Sequence, residues 1–194
     1  MLVGIDEVGR GCWAGPLVVG AVMLQQDIPG LADSKQLSAR RRAVLHSQII
    51  QHAQVGLGWV SAQEIDNLGL AASLRLAARR AFVQLAARDA SQIIIDGTVN
   101  LLPGDSRVQL QKQADASVPC VSAASIVAKV ERDAFMHAQS RIFPDYGFEH
   151  HVGYGTKRHR HALEVHGVTS LHRRSFRPVQ SLVLAEAEAR KHGS

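Results

Sequence analysis

Cysteine is scarce in this sequence. Cys12 and Cys120 are the only two in 194 residues, and they form no C-x-x-C pair. That spacing gives no basis for a disulfide framework or a cysteine-rich zinc site, and reduced thiols are expected. Long hydrophobic runs are missing as well, since none approaches the roughly 18 to 20 residues that a membrane span needs. The chain opens directly into Leu2-Val3-Gly4-Ile5, without the charged, apolar and cleavage regions of a secretory signal, so a cytosolic location and no membrane partner are expected. No internal repeat or low-complexity linker interrupts it. The length and the 46% hydrophobic content suit one domain over residues 1–194, with a helical C-terminal segment from about residue 156.

Acids are in the minority, 17 against 22 lysines and arginines, for a formal charge of +5 that favours an anionic partner. The surplus is local. Between His150 and Pro178 stand Lys157, Arg158, Arg160, Arg173, Arg174 and Arg177 against Glu164 alone, together with six of the ten histidines. A solvated basic face is the plain reading of such a run. A surface that tracks phosphates, with Tyr154 set between Gly153 and Gly155, accounts for more of it. His150, His151, His159 and His161 follow no familiar zinc spacing, and no cysteine joins them.

Leu2 to Val8 and Leu17 to Leu24 read as antiparallel neighbouring strands, and Gln54 to Ala62 as a third. Between the second and third, Leu37, Val44, Leu45 and Ile49 recur at helical spacing with Ser38 as a candidate N-cap. The alanine- and leucine-rich run from Asp66 to Asp89 is expected as one helix. Ser91 to Gly97 follows it, with three successive isoleucines that suit a strand covered on both faces. The run from Arg107 leads to Asp115 as a fifth strand, followed by a helix from roughly Ser122 whose small residues, Ser122 to Ser125, permit close backbone approach. Tyr146 to Thr156 reads as loop, residues 157–166 as a short helix stopped by Gly167, and Val179 to Lys191 as a terminal helix. The alternation implies an α/β chain with a mixed five-stranded sheet flanked by helices.

Four acids fall at strand ends: Asp6 and Glu7, Asp96, and Asp115. Acids gathered at strand ends repel one another, and a hard divalent cation such as Mg²⁺ or Mn²⁺ relieves that repulsion while gaining oxygen ligands. The plainer readings are that Asp96-Gly97 opens a turn and that Asp115 caps a helix. Adjacent strand residues point to opposite faces, so for Asp6 and Glu7 to address one metal the strand must end or bend there, which Gly9 and Gly11 permit. Gly9, Gly11 and Ala14 also match a dinucleotide fingerprint with Asp33 further on. That reading needs a helix at the glycines, where Leu17-Val18-Val19 reads as strand, and two acids would repel a pyrophosphate.

Taken together, "GIDEVGRG" with "AGP", "DSKQLS", "IIIDG", "AASIVAKVERD", "FPDYGFEHHVGYGT" and "HRRSF" resemble, in order, the motifs of bacterial ribonuclease HII, over nearly the whole chain from Leu2 to about Val179. The resemblance implies a ribonuclease H-like fold. It implies hydrolysis of the RNA strand of RNA/DNA hybrids, and incision 5′ to ribonucleotides embedded in duplex DNA, leaving 3′-hydroxyl and 5′-phosphate ends by a monomeric enzyme using Mg²⁺ or Mn²⁺. By the same resemblance the metal-site acids are Asp6, Glu7, Asp96 and Asp115, the junction-sensing loop is Gly9, Arg10 and Gly11, and the junction tyrosine is Tyr154, with Lys35 contacting phosphate. This chain departs from the pattern at Gln113-Ala114, where Lys-Gly is common, at Val152, where lysine often stands, and at Cys12-Trp13, which replace smaller or apolar residues. The rival expectation is a non-catalytic protein that binds hybrid duplexes and keeps its acids for structure.

Overall fold

The computed structural model describes residues 1–87 and 90–192, with side chains through residue 184 in the last helix. Its strands are β1 (Leu2–Val8), β2 (Leu17–Leu24), β3 (Ala53–Val60), β4 (Gln92–Asp96) and β5 (Val108–Gln111). They form one sheet in the order β3-β2-β1-β4-β5, with β1 antiparallel to β2 and parallel to β4, and β4 parallel to β5. Helices flank this mixed sheet. Among the described residues the helices of the chain are α1 (Ala39–His52), α2 (Ala62–Leu68), α3 (Leu70–Leu85), α4 (Ala114–Ser117), α5 (Pro119–Ile142), α6 (Phe148–His151), α7 (Lys157–His166) and α8 (Arg177–His192), with a 3₁₀ turn at Pro144–Tyr146.

Several boundaries follow from local chemistry. Ser38 caps α1 by accepting the Arg41 N–H, and Thr156 caps α7 by accepting that of His159. The expected single helix over 66–89 is in fact two, because Gly69 adopts a φ of +75° and ends α2 before α3 begins; Arg88 and Asp89 lie outside the described residues. Ser61 and Glu64 form a reciprocal capping box that starts α2, four residues before the expected helix. Helix α5 starts at Pro119 rather than Ser122, since proline suits a first helical turn. The segment expected as loop from Tyr146 contains α6. The glycines after β1 lead into β2, a strand, which removes the dinucleotide reading.

Two compact units divide the chain: residues 1–8, 18–59 and 74–132, and residues 9–17, 60–73 and 133–194. In the first, α5 lies very close to the sheet. A Cβ on Gly4 would collide with the backbone of Cys120 and Val121, and one on Gly20 would stand 2.5 Å from the Ala124 carbonyl. Only glycine on the sheet and small residues on the helix allow that approach. Val22, Ile28, Leu45, Ile49, Ile126 and Val127 fill the core beside it. The second unit packs Ala14, Met136, Tyr146, Phe148, Leu163 and Val179 around an aromatic centre in which Tyr146 stacks on Phe148 at 5.5 Å.

Candidate active site

The close fit of α5 on the sheet decides what Asp6 meets. Gly4 and Asp6 share one face of β1, and Gly20 is the cross-strand partner of Asp6, so the helix turn that touches both glycines brings Ser125 to the Asp6 carboxylate. The Ser34 and Ser125 hydroxyls lie 2.9 Å apart in the interior. Ser125 donates to Asp6, which leaves Ser34 to donate to Ser125. The Glu7 N–H donates to Asp6 Oδ1 at 2.8 Å. Asp6 is 6% exposed, and burial pushes its carboxyl up to about 7; the Ser125 and Glu7 donors pull it down, while the Glu7 and Asp96 charges push it further up.

Asp96 enters through the sheet register. Ile5 pairs with Ile95 on the parallel neighbour β4, so Asp6 and Asp96 each stand one residue beyond a matched pair and project to the same side. Asp96 Oδ1 accepts the Ala114 N–H at 2.7 Å, which ties the end of β4 to the start of α4. Asp115, buried at 5% exposure, is the next residue. Burial raises its carboxyl above the ordinary range, the charges of Asp96 and Asp33 add to this, and Lys35 opposes it. The Lys35 ammonium stands 3.5 Å from Asp115 Oδ2 and 3.9 Å from Asp33 Oδ1. Burial works to lower its proton affinity, but Asp33, Asp115 and Asp6 outweigh that and hold it raised.

Two expectations change here. β1 does not break at its acids, because Asp6 and Glu7 keep regular pairing with Gly20 and Val19, and the chain turns only at Gly9, where φ is +84°. Regular pleating starts the half-buried Glu7 side chain on the face opposite Asp6, and it joins the site only by reaching round the strand end, where its charge still acts on Asp6. Asp115 is not the end of strand five, which stops at Gln111; Gln113 takes a left-handed φ of +56° and starts the four-residue α4. The sequence offers Asp33 for a dinucleotide site and as the first residue of DSKQLS, with no role of its own in the latter. Its real signal was its place two residues before Lys35, whose N–H it accepts at 2.9 Å in a local turn.

The donor set is carboxylate throughout, which suits a hard divalent cation and not a zinc finger. Among the described residues no three His, Cys, Asp or Glu side chains are already gathered so as to hold a metal ion. The fit rests instead on buried like charges: Asp6 and Asp115 both have raised carboxyls, Asp96 acts on each, and Lys35 pairs with Asp115.

The second unit holds the other group of expected residues. Arg10 and Gly11 are exposed, and the loop they belong to is fixed to the tyrosine segment by the Trp13 and Ala14 N–H groups, both donating to the Gly153 carbonyl at 2.8 and 3.2 Å. Tyr154 keeps 42% of its surface exposed while its backbone is held, its N–H donating to the His151 carbonyl. Trp13 lies against Gly155, where even a Cβ would meet the indole, and the Arg160 guanidinium sits 5.7 Å over the same ring.

The basic stretch is less uniform than its sequence. Arg158, Arg160 and Arg174 are exposed, but Arg173 is fully buried. His151, His159 and His172 are buried too, the first two stacked at 4.5 Å, and burial lowers all three, His159 to about 4 and His172 to about 3. They are neutral rings bonded to backbone and to each other, which leaves neither His151 nor His159 to a zinc site.

The family model for ribonuclease HII matches residues 3–179. A ribonuclease HII of Sphingopyxis alaskensis is 45% identical over 189 residues, covering 95% of this chain and 92% of its own. Among solved structures, the ribonuclease HII of Archaeoglobus fulgidus, determined in complex with PCNA, superposes with a TM-score of 0.75 at 27% identity, covering 94% of this chain and 96% of that one. The ribonuclease H2 of Pyrococcus horikoshii gives 0.74 at 25% identity over 95% and 97%.

Proposed function

Since this chain belongs to the ribonuclease HII family and is a ribonuclease H that cleaves RNA/DNA hybrids, we propose that it also incises duplex DNA on the 5′ side of embedded ribonucleotides, leaving 3′-hydroxyl and 5′-phosphate ends. With an enzymatic family established, the alternative of a non-catalytic duplex binder falls away. The observation that carries the proposal is the Ile5–Ile95 register, which sets Asp6 and Asp96 side by side, with Asp6 buried against Ser125.

In this reading Asp6, Asp96 and Asp115, with Glu7 flanking them, hold divalent cations. Mg²⁺ or Mn²⁺ ions bound there would supply two-metal-ion catalysis, stabilising charge on the attacking and leaving oxygens of the scissile phosphate. The carboxylates position rather than attack. Ser125 and the Glu7 N–H fix Asp6, the Ala114 N–H fixes Asp96, and Ser122 holds the Asp115 carbonyl at 2.6 Å, so the ligands are oriented before substrate arrives. Lys35, with 77% of its side chain in solvent, is suited to a phosphate of the cleaved strand.

Discrimination belongs to the second unit. Backbone groups of Gly9, Arg10 and Gly11 would bond the ribose 2′-hydroxyl, the group that marks a ribonucleotide, and the exposed Tyr154 ring would pack on the following deoxyribose. Neither contact reads a base, so cutting is independent of sequence. Exposed Lys157, Arg158, Arg160 and Arg174 supply salt-dependent phosphate affinity. The same proposal takes the chain as one catalytic domain, monomeric, cytoplasmic and free of membranes.

The test is a nicking assay on duplex DNA carrying one ribonucleotide, with Mg²⁺, Mn²⁺ or EDTA. A nick at the ribonucleotide that EDTA abolishes is expected; no metal-dependent nick there overturns the proposal.

A further inference from the structure

Arg173 is a charged residue that the fold buries completely, beside an Arg174 that it leaves in solvent. Burying a guanidinium is expensive unless its donors find acceptors, and an apolar side chain would fill the space at lower cost. The acceptors Arg173 finds are carbonyls of one loop. Its Nε and Nη2 both donate to the Gly15 carbonyl, at 3.0 and 2.9 Å, and its Nη1 donates to the Arg10 carbonyl at 3.1 Å. Its own N–H donates to the Trp13 carbonyl at 2.8 Å, and the Phe176 ring lies 5.1 Å beneath the guanidinium. Three carbonyls between Arg10 and Gly15 thus converge on one residue; its backbone N–H meets that of Trp13, and a planar fork is the shape that can satisfy the other two at once.

The preceding residue acts on the tyrosine. His172 Nδ1 accepts the Thr169 N–H at 2.9 Å, so in the neutral ring the proton sits on Nε2 and donates to His159 Nε2 at 3.0 Å. That fixes the His159 proton on Nδ1, which donates to the Tyr154 carbonyl at 2.9 Å. The hydrogen bonds run one way, from Thr169 through both rings to Tyr154. Burial keeps the two rings unprotonated, as this direction requires.

We infer that His172 and Arg173 are positioning residues for substrate selection, holding Tyr154 and the Gly9–Arg10–Gly11 loop in the one arrangement that recognises an isolated ribonucleotide. The inference rests on the junction-reading roles proposed above. A lone ribonucleotide satisfies loop and tyrosine in a single register, so slack in either is costly. A continuous hybrid offers a 2′-hydroxyl at every step, and a loosened reader still finds a productive register there.

The experiment compares the full chain with its Arg173→Lys variant, which keeps the charge and loses the fork. Single-turnover rates are measured on a duplex with one ribonucleotide and on a continuous RNA/DNA hybrid, alongside duplex affinity and melting temperature. Val179→Ala, a core change in the same unit, calibrates the effect of lost stability alone. The expected result is a fall in single-ribonucleotide incision that exceeds the fall on hybrid by about ten- to hundredfold, as for small misplacements of a reacting group, with duplex affinity unchanged and both substrates affected equally in Val179→Ala. Equal losses on both substrates in Arg173→Lys would overturn the inference. Should that variant not fold, Phe176→Leu, which removes only the ring beneath the guanidinium, must lower the same ratio, and an unchanged ratio overturns the inference equally. A wild-type chain that cleaves hybrid but never the single ribonucleotide would remove the junction-reading proposal itself, and this inference with it.

Discussion

Asp6 and Asp96 stand one residue beyond the paired Ile5 and Ile95 of two neighbouring parallel strands, and the charge of Asp96 acts on the buried Asp6. Two carboxylates set side by side at a sheet crossover are unstable company without a cation, and that instability is what the proposed chemistry uses.

Asp96→Asn should therefore abolish cleavage and spare the fold. The amide oxygen still accepts the Ala114 N–H, while a charged ligand is lost. Metal-dependent incision is expected to fall roughly a thousandfold or more, as when a group that stabilises transition-state charge is removed. Duplex affinity and melting temperature stay near wild type. An active variant would remove Asp96 from the metal site.

The Asp6 carboxyl, raised from 3.8 to about 7, makes stability and metal binding depend on pH in opposite senses. The folded chain holds this proton more tightly than the unfolded chain does. The resulting stabilisation is complete below pH 3.8 and is lost as pH rises through about 7, amounting to a few kcal/mol. Cation binding needs the ionised form. Thermal melts of metal-free protein should thus show a loss across this window that Asp6→Asn flattens, and the rise in melting temperature on adding Mn²⁺ should be larger at pH 8 than at pH 6. An equal rise at both values would contradict the assignment.

The buried histidines give the opposite limb. His159 and His172, lowered to about 4 and about 3, stay neutral in the fold while their unfolded counterparts take protons below about pH 6.5. Their contribution is complete above that value and is lost as pH falls towards 3. His172→Gln should make the acid side of the stability profile shallower; an unchanged slope would mean that the ring is not held neutral.

Much of this arrangement is legible in the sequence, and the places where it is not share a cause. β1, β2, the Ser38 cap and the isoleucine strand follow from periodicity and capping chemistry, which are local. The small residues of α5 correctly signal a close approach, although only the glycines at 4 and 20 reveal its target. The split at Gly69 is missed because alanine and leucine on both sides mask one positive φ. Arg173 and the three histidines read as part of a basic face because sequence gives charge but not burial; the acceptors of Arg173, His151 and His159 are backbone carbonyls, which leave no trace in residue identity. The belief that β1 must bend at Asp6-Glu7 assumed both acids serve from one face, and the regular pairing to Val18 shows the strand continuing.

Tyr154→Ala should separate recognition from chemistry. The residue keeps 42% of its surface exposed and the backbone around it is independently held, so stability changes little. Single-ribonucleotide incision is expected to drop about five- to hundredfold, the range for loss of one aromatic stacking contact, and hybrid hydrolysis much less. Unchanged single-ribonucleotide activity would exclude the ring from the junction.

Val152→Lys should strengthen duplex binding. Val152 occupies a left-handed φ of +42°, poorly suited to a β-branched residue, at a position where the motif resemblance leads lysine to be expected. One added phosphate contact steepens the dependence of log affinity on log salt by about 0.9, measurable by fluorescence anisotropy across a salt series. An unchanged slope would mean that position 152 does not reach the backbone of the duplex.

The most direct test is to map the ends produced from a duplex with a single ribonucleotide, comparing wild type with Asp96→Asn in Mg²⁺, Mn²⁺ and EDTA. The account predicts that wild type with metal cuts at one place, 5′ to the ribonucleotide, giving a 3′-hydroxyl upstream and a 5′-phosphorylated ribonucleotide downstream, and that the variant and the EDTA reaction leave the strand intact. A cut on the 3′ side, a cyclic phosphate product or cleavage that survives EDTA would contradict it.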